Sequence, residues 1–215
     1  IRVTQAKHTV TSKTLNVACT GGNVYYANSI ASSYSYSSTA VCNSRSGNYF
    51  VVNPNSTTAA RTCTVTVKNS AGEVVGYVYI KQSGVPVKYV TVSGNSSAKF
   101  SYGNSNATSF SYSSTYVSKI TASNPGSFTI YFYANPSTKN VRIFDITAKN
   151  SKGESVEIIR VTQQKFTPLT ISKSVDSKRN TFTYINSDAA KFTYSVSSMF
   201  GGYNSLGSGK YQFVV

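Results

Sequence analysis

Apolar and polar residues alternate along most of this chain. In "RTCTVTVK" (Arg61 to Lys68), Val65 and Val67 alternate with Thr64 and Thr66; in "RIFDITAK" (Arg142 to Lys149), Phe144 and Ile146 alternate with polar neighbours. A period of two puts one set of side chains on one face of a strand, so these segments predict half-buried β-structure. No stretch carries a convincing helical period. Polar clusters separate the alternating segments. "KNSAGE" and "KNSKGE" each lie between two strand patterns, where Asn and Gly supply the backbone conformations of a tight hairpin turn. Asn-Pro marks further turns or strand boundaries, because proline cannot donate to a ladder.

The pattern is written more than once. "YANSIASSYSYS" (Tyr26 to Ser37), "YGNSNATSFSYS" (Tyr102 to Ser113) and "YINSDAAKFTYS" (Tyr184 to Ser195) align without a gap. Val24 and Tyr26, Phe100 and Tyr102, and Phe182 and Tyr184 lie two apart. So do Tyr34 and Tyr36, Phe110 and Tyr112, and Phe192 and Tyr194. Aromatic or apolar residues at these positions in all three copies predict the interior of each unit, with the Asn-Ser after the first Tyr as a turn. A second block, Asn48 to Gln82, matches Ile130 to Gln163. In that match Asn53-Pro54 falls on Asn135-Pro136, Arg61 on Arg142, Lys68-Asn69-Ser70 on Lys149-Asn150-Ser151, and Gln82 on Gln163.

Short strands and turns recurring in units of about 80 residues predict an all-β fold of tandem immunoglobulin-like β-sandwich repeats. "IRVTQ" at Ile1 to Gln5 repeats "IRVTQ" at Ile159 to Gln163, so 1–6 reads as the final strand of a preceding repeat. The expected division continues with repeat 1 at 7–84, repeat 2 at 85–165, and repeat 3 at 166–215, incomplete at its C-terminal end. Both ends then fall inside a repeat, which suggests a window on a longer tandem array. Donation of the Ile1–Gln5 strand to another chain is the alternative.

Composition sharpens this picture. Lys and Arg number 21 against 6 Asp and Glu, a net charge of +15. Such a field favours anionic partners, but the basic residues are spread from Arg2 to Lys210 without a run. A solvated basic surface is the simpler reading, and a specific nucleic-acid reader is not expected. There is no apolar run long enough to span a membrane. Cys19, Cys42 and Cys63 are an odd set with no CxxC spacing, which argues against zinc. Cys63 aligns with Phe144, so a buried free thiol is expected, with a Cys19–Cys63 bridge as the alternative.

Several of these residues carry a family resemblance. "RIFDITAKNSKGESVEIIRVTQQ" and "RTCTVTVKNSAGEVVGYVYIKQ" resemble the closing strands of BACON domains (Bacteroidetes-associated carbohydrate-binding, often N-terminal). Those modules have an Arg opening a strand, a Gly-containing hairpin and a final Val-Thr-Gln. The resemblance implies seven-stranded immunoglobulin-like sandwiches of the kind found in extracellular carbohydrate-degrading enzymes, cell-surface proteins and phage virion proteins. It also implies glycan binding or a spacer role. The family carries tryptophans in its middle strands; this chain has none, and its aromatic positions hold Tyr and Phe.

Catalysis is not expected. His8 is the single histidine, and Glu73 and Glu154 are equivalents on hairpin turns. Asp145, Glu157, Asp176 and Asp188 are scattered, without the pairing that glycosidases need or the clustering that cation sites need. No cofactor is implied. The binding candidates are outward tyrosines. Tyr77 and Tyr79 alternate with the inward Val78 and Ile80, and Tyr131 and Tyr133 alternate with the inward Ile130 and Phe132. Beside Lys81 and Lys88, such rings would stack on sugars while the lysines meet anionic groups; packing against a neighbouring domain is the alternative.

The sequence therefore predicts a non-catalytic stalk or adhesive segment of a longer extracellular, cell-surface or virion protein. Its expected partners are neighbouring repeats or subunits, and glycans or an anionic cell surface held weakly at several repeats. A dedicated carbohydrate-binding module of a glycan-degrading system is the first alternative. Charge-driven nucleic-acid binding is the second.

Overall fold

A computed structural model describes residues 9–95, 98–167, 181–185, 202–208 and 210–214. Among these residues every regular element is a strand. The first unit comprises β1 (Thr11–Val17), β2 (Gly22–Tyr25), β3 (Ser33–Tyr36), β4 (Cys42–Ser46), β5 (Tyr49–Val52), β6 (Arg61–Lys68) and β7 (Val74–Gln82). The second repeats it strand for strand: β8 (Val87–Val92), β9 (Lys99–Gly103), β10 (Ser109–Ser111), β11 (Val117–Asn124), β12 (Ser127–Phe132), β13 (Arg142–Lys149) and β14 (Ser155–Gln163). The remaining strands are β15 (Thr181–Ile185), β16 (Gly202–Gly207) and β17 (Lys210–Val214).

Each unit is a two-sheet sandwich. In the first, a four-stranded sheet in the order β1-β7-β6-β3 faces a three-stranded sheet in the order β2-β5-β4. In the second, β8-β14-β13-β10 faces β9-β12-β11. The order β15-β17-β16 repeats that of the three-stranded sheets. The first strand of each unit runs parallel to the last, β1 to β7 and β8 to β14, while the other pairings are antiparallel. The chain is thus a tandem of immunoglobulin-like sandwiches.

The alternation seen in sequence becomes two cores. Val65, Val67, Val78 and Ile80 from one sheet meet Phe50 and Val52 from the other, with Tyr26 just beyond the end of β2. In the second unit Ile146, Ala148, Ile159 and Val161 meet Tyr102, Ile130 and Phe132. Complete burial of such a side chain contributes roughly 1.5–3 kcal/mol, so these interleaved rows dominate the stability of each unit.

In the first two units the tyrosine that opens the Tyr-x-Asn-Ser segment lies inside, and most of the third copy falls outside the described residues. Tyr26 and Tyr102 are buried, and the Asn two residues later closes a turn: Asn28 Oδ1 accepts from the Ile30 N–H, and Asn104 Oδ1 from that of Asn106. Tyr34, Tyr36 and Phe110 pack against the cores. Tyr112 does not. It follows the last residue of the short strand β10 and is 40% exposed. The three thiols are buried and free, so no Cys19–Cys63 bridge forms. The expected strand at Ile1–Gln5, His8, Asp176, Asp188 and the Phe192/Tyr194 pair lie outside the described residues.

Candidate functional site

The residues that carry the family resemblance prove to be internal ties. Arg61 Nε donates to Gln82 Oε1 at 2.7 Å, and Arg142 Nε to Gln163 Oε1 at 2.6 Å. Both glutamines are buried, at 1% and 0% exposure. A buried amide must find partners for its N–H groups as well. Gln82 Nε2 donates to the carbonyls of Ala18, Cys19 and Asn53; Gln163 Nε2 donates to that of Tyr133. The Arg that opens one strand and the Gln that ends the next are therefore a single lock at the end of each sandwich. The hairpin motif is equally structural. Asn69 Oδ1 accepts from the Ala71 and Glu73 N–H groups, and its Nδ2 donates to Glu73 Oε2. Asn150 does the same with Lys152 and Glu154. Gly72 (φ 83°) and Gly153 (φ 80°) take the left-handed conformation these turns require. Glu73 and Glu154 thus serve their own turns.

A second tie corrects the sequence alignment. Asn55 Nδ2 donates to the carbonyls of Ala59 and Ser83, and Asn135 Nδ2 to those of Asn140 and Gln164. Both residues are buried. The partner of Asn135 in space is therefore Asn55, and the Asn53-Pro54 match is out of register by two residues. Asn53 instead corresponds to Tyr133, since both offer their carbonyls to the Arg–Gln lock. The loops before Arg61 and Arg142 differ in length, so matching the Asn-Pro pairs aligned similar letters with different jobs.

The Asn55 tie holds the segment between the units. The Ser83 N–H donates to the Val17 carbonyl, the Val85 N–H to that of Thr57, and the Ile158 N–H to that of Pro86. Val85 is buried, and a Cβ on Gly84 would meet the Thr58 carbonyl oxygen at 2.0 Å. The segment leaving the second unit repeats this arrangement: the Gln164 N–H donates to Val92 and the Phe166 N–H to Ser137. Between the units, Cys19 Sγ lies 3.7 Å from the Ser155 carbonyl.

The four predicted tyrosines do not come together. Tyr77 and Tyr79 lie on the outer face of the four-stranded sheet of the first unit, with Val78 and Ile80 buried behind them. Tyr79 is 40% exposed and shares its face with the exposed Lys81. Tyr131 lies on the central strand of the three-stranded sheet of the second unit, and Tyr133, just beyond the end of that strand, is 51% exposed. Lys88 accompanies neither pair. It pairs with the inward-facing Ile159, and its ammonium lies over the Phe100 and Tyr102 rings, each at 5.8 Å.

The cations beside Tyr131 were not legible in sequence. Tyr131 stands opposite Lys99 on β9 and Lys119 on β11, and Lys119 Nζ lies 4.7 Å from the Tyr131 ring centroid. Only the strand register brings these three residues into one row. Arg45 is likewise unexpected. It points inward, with its guanidinium 4.4 Å from the Tyr34 ring centroid and Nη2 donating to the Tyr26 carbonyl and Asn48 Oδ1.

Electrostatics elsewhere are muted. Asp145 pairs with Arg160 through two hydrogen bonds of 2.9 and 2.8 Å. That partner holds the Asp145 carboxyl below its ordinary range and raises the guanidinium. Burial, aided by Cys63, pushes the Cys42 thiol up to about 11, which keeps it protonated and unreactive at neutral pH. Burial first, and the nearby Glu157 carboxylate second, raise the Tyr102 phenol. Among the described residues no group of three or more His, Cys, Asp or Glu is placed to hold a metal ion. No helix among them is long and apolar enough to cross a membrane.

No family model matches the chain, and no curated protein does. Among solved structures, SporoSAG from Toxoplasma gondii is similar at 9% identity, over 73% of this chain and 97% of that one, with a TM-score of 0.28. The SGBP-B protein of the Bacteroides ovatus mixed-linkage glucan utilization locus, in complex with a mixed-linkage heptasaccharide, aligns at 12% identity over 69% of this chain and 43% of its own, with a TM-score of 0.24. Extracellular cadherin domains 1–4 of protocadherin gamma B7 align at 10% identity over 94% and 65%, also with a TM-score of 0.24. Likeness at this level carries no inference about role. The sandwich architecture rests on the strand pairings themselves.

Proposed function

We propose that this chain is a non-catalytic stalk: a tandem of BACON-type sandwiches within a longer extracellular protein, on a cell surface or a virion, that holds another part at a distance. The observation that supports this reading is the tied segment between the units. A four-residue connection, Ser83 to Pro86, is hydrogen-bonded at both ends and buries Val85 between them. Free connections between domains are exposed and move readily; this one commits the Ser83 and Val85 N–H groups and the Ser83 and Pro86 carbonyls. Each unit is also entered at one end of its first strand and left at the opposite end of a parallel last strand, so successive units extend the chain.

Small-angle scattering of the full chain tests this reading. The wild type should give a narrow distribution of distances for units held end to end. Insertion of Gly-Ser-Gly-Ser after Ser83 should broaden it, and Asn55→Ala should do so to a lesser degree. A wild-type distribution already as broad as that of the insertion variant sinks the stalk.

A second reading, weak multivalent contact with glycans, is favoured by outward aromatic residues beside cations, Tyr79 with Lys81 and Tyr131 with Lys119. Under it the four tyrosines, Tyr77, Tyr79, Tyr131 and Tyr133, act as separate small contacts on two faces.

A further inference from the structure

The outer face of β9, β12 and β11 is the most specific chemical surface in the described molecule. Tyr131 on the central strand is flanked by Lys99 on one side and Lys119 on the other. Neighbouring strands lie about 4.8 Å apart, so the two lysine backbones stand roughly 10 Å apart across the ring. Two flexible side chains close that gap readily around one anionic group. Lys119 is already placed, with its ammonium 4.7 Å from the ring centroid. Such a contact reduces the ordering cost of binding.

We propose that this face binds an acidic oligosaccharide, with one carboxylate or sulfate group seated between Lys99 and Lys119 over Tyr131. Charge complementarity carries the assignment. No Asp or Glu occurs on β9, β11 or β12, and the carboxylate–cation pair found among the described residues lies elsewhere, at Asp145 and Arg160. The next row on the same face is Ser101, Thr129 and Thr121, a line of hydroxyls suited to a polyol. A polynucleotide fits less well. Single strands are held by successive bases on successive aromatic rings, whereas of the two outward rings here Tyr131 is already attended by an ammonium and Tyr133 lies beyond the end of β12. The first unit provides an internal control. Val51 occupies the position of Tyr131 there, flanked by Asn23 and Ser44, with neither charge nor ring.

The site rests on the second, glycan-contact reading of the same face and is independent of the stalk reading. Calorimetric titration of the full chain tests it with three probes of matched length: an oligogalacturonate, a neutral glucan oligosaccharide and a single-stranded oligonucleotide. The expected result is saturable binding of the oligogalacturonate alone. Lys99→Gln with Lys119→Gln should weaken it about tenfold or more. Tyr131→Val, which installs the first unit's residue, should weaken it as well. Lys139→Gln with Lys152→Gln removes the same charge from the same unit and should leave affinity within about twofold. Equal loss in both double variants would reduce the site to diffuse charge and overturn the proposal. So would oligonucleotide affinity matching that of the acidic sugar, or the absence of saturable binding to it.

Discussion

Phe50 and Ile130 stand at the same place in their sandwiches, central on the inner face of the three-stranded sheet. Their cross-strand neighbours differ. Arg45 is opposite Phe50, and Ile120 is opposite Ile130. Tyr34 lies over the first core where Phe110 lies over the second. The Tyr34 hydroxyl and Arg45 Nε are buried without hydrogen-bond partners. At the matching positions the second unit carries the apolar Ile120 and Phe110, and its own buried hydroxyl without a partner is that of Tyr102. The lock at the other end reverses the balance: Gln82 has three carbonyl acceptors where Gln163 has one. The comparison teaches that a fold repeated this closely still distributes its strength differently. The first unit relies on its polar lock and tolerates polar groups at the opposite rim. The second relies more on its hydrocarbon interior.

Five substitutions probe that contrast. The largest effect is expected at the lock. Gln82→Leu removes the acceptor of Arg61 Nε and one donor from each of three carbonyls, which keep a second donor, and should cost roughly 1–3 kcal/mol in urea unfolding. Gln163→Leu should cost less; an equal or larger loss would erase the asymmetry between the locks. Next comes Arg45→Ile, which copies the second unit into the first. Exchanging a half-buried guanidinium whose Nε has no acceptor for a matching apolar side chain should stabilise by about 1 kcal/mol, and a clear loss would show that its bonds to Tyr26 and Asn48 dominate. Tyr34→Phe removes a hydroxyl without a partner and should be neutral or stabilising, within about 1 kcal/mol. Smallest is Asp145→Asn, on the solvated outer face. Because the Asp145 pKa is lowered on folding, its contribution is present above the ordinary carboxylate range and fades as pH falls through the folded value. Both partners are largely exposed, so the difference from wild type should be small, disappear in acid and shrink in high salt.

What was legible in the sequence follows from this division between inside and outside. Period-two alternation identified Val65, Val67, Ile146, Ile159 and their neighbours as core because burial depends on local spacing. The turn roles of Asn69 and Asn150 were legible for the same reason, since their bonds close within four residues. Ties between distant segments were not. Asn55 reaches Ser83, and Gln82 reaches Ala18, across stretches whose relative placement only the folded sheets define. The candidate site divides the same way. The outward direction of Tyr79, Tyr131 and Tyr133 follows from alternation, whereas the flanking of Tyr131 by Lys99 and Lys119 depends on the register of three strands. Tyr112 was misplaced because alternation was carried one step past the end of a three-residue strand.

The parallel pairing of β1 with β7, and of β8 with β14, bears on how the chain responds to force. Tension along the array pulls the first strand of a unit toward one end and the last toward the other. These two strands are neighbours in one ladder, matched from Thr11–Gly76 to Val17–Gln82 in the first unit. Their hydrogen bonds are therefore loaded sideways and together, in shear, instead of being peeled apart one at a time. Rupture then requires a whole ladder to fail at once, a geometry in which a modestly stable unit resists a large pull.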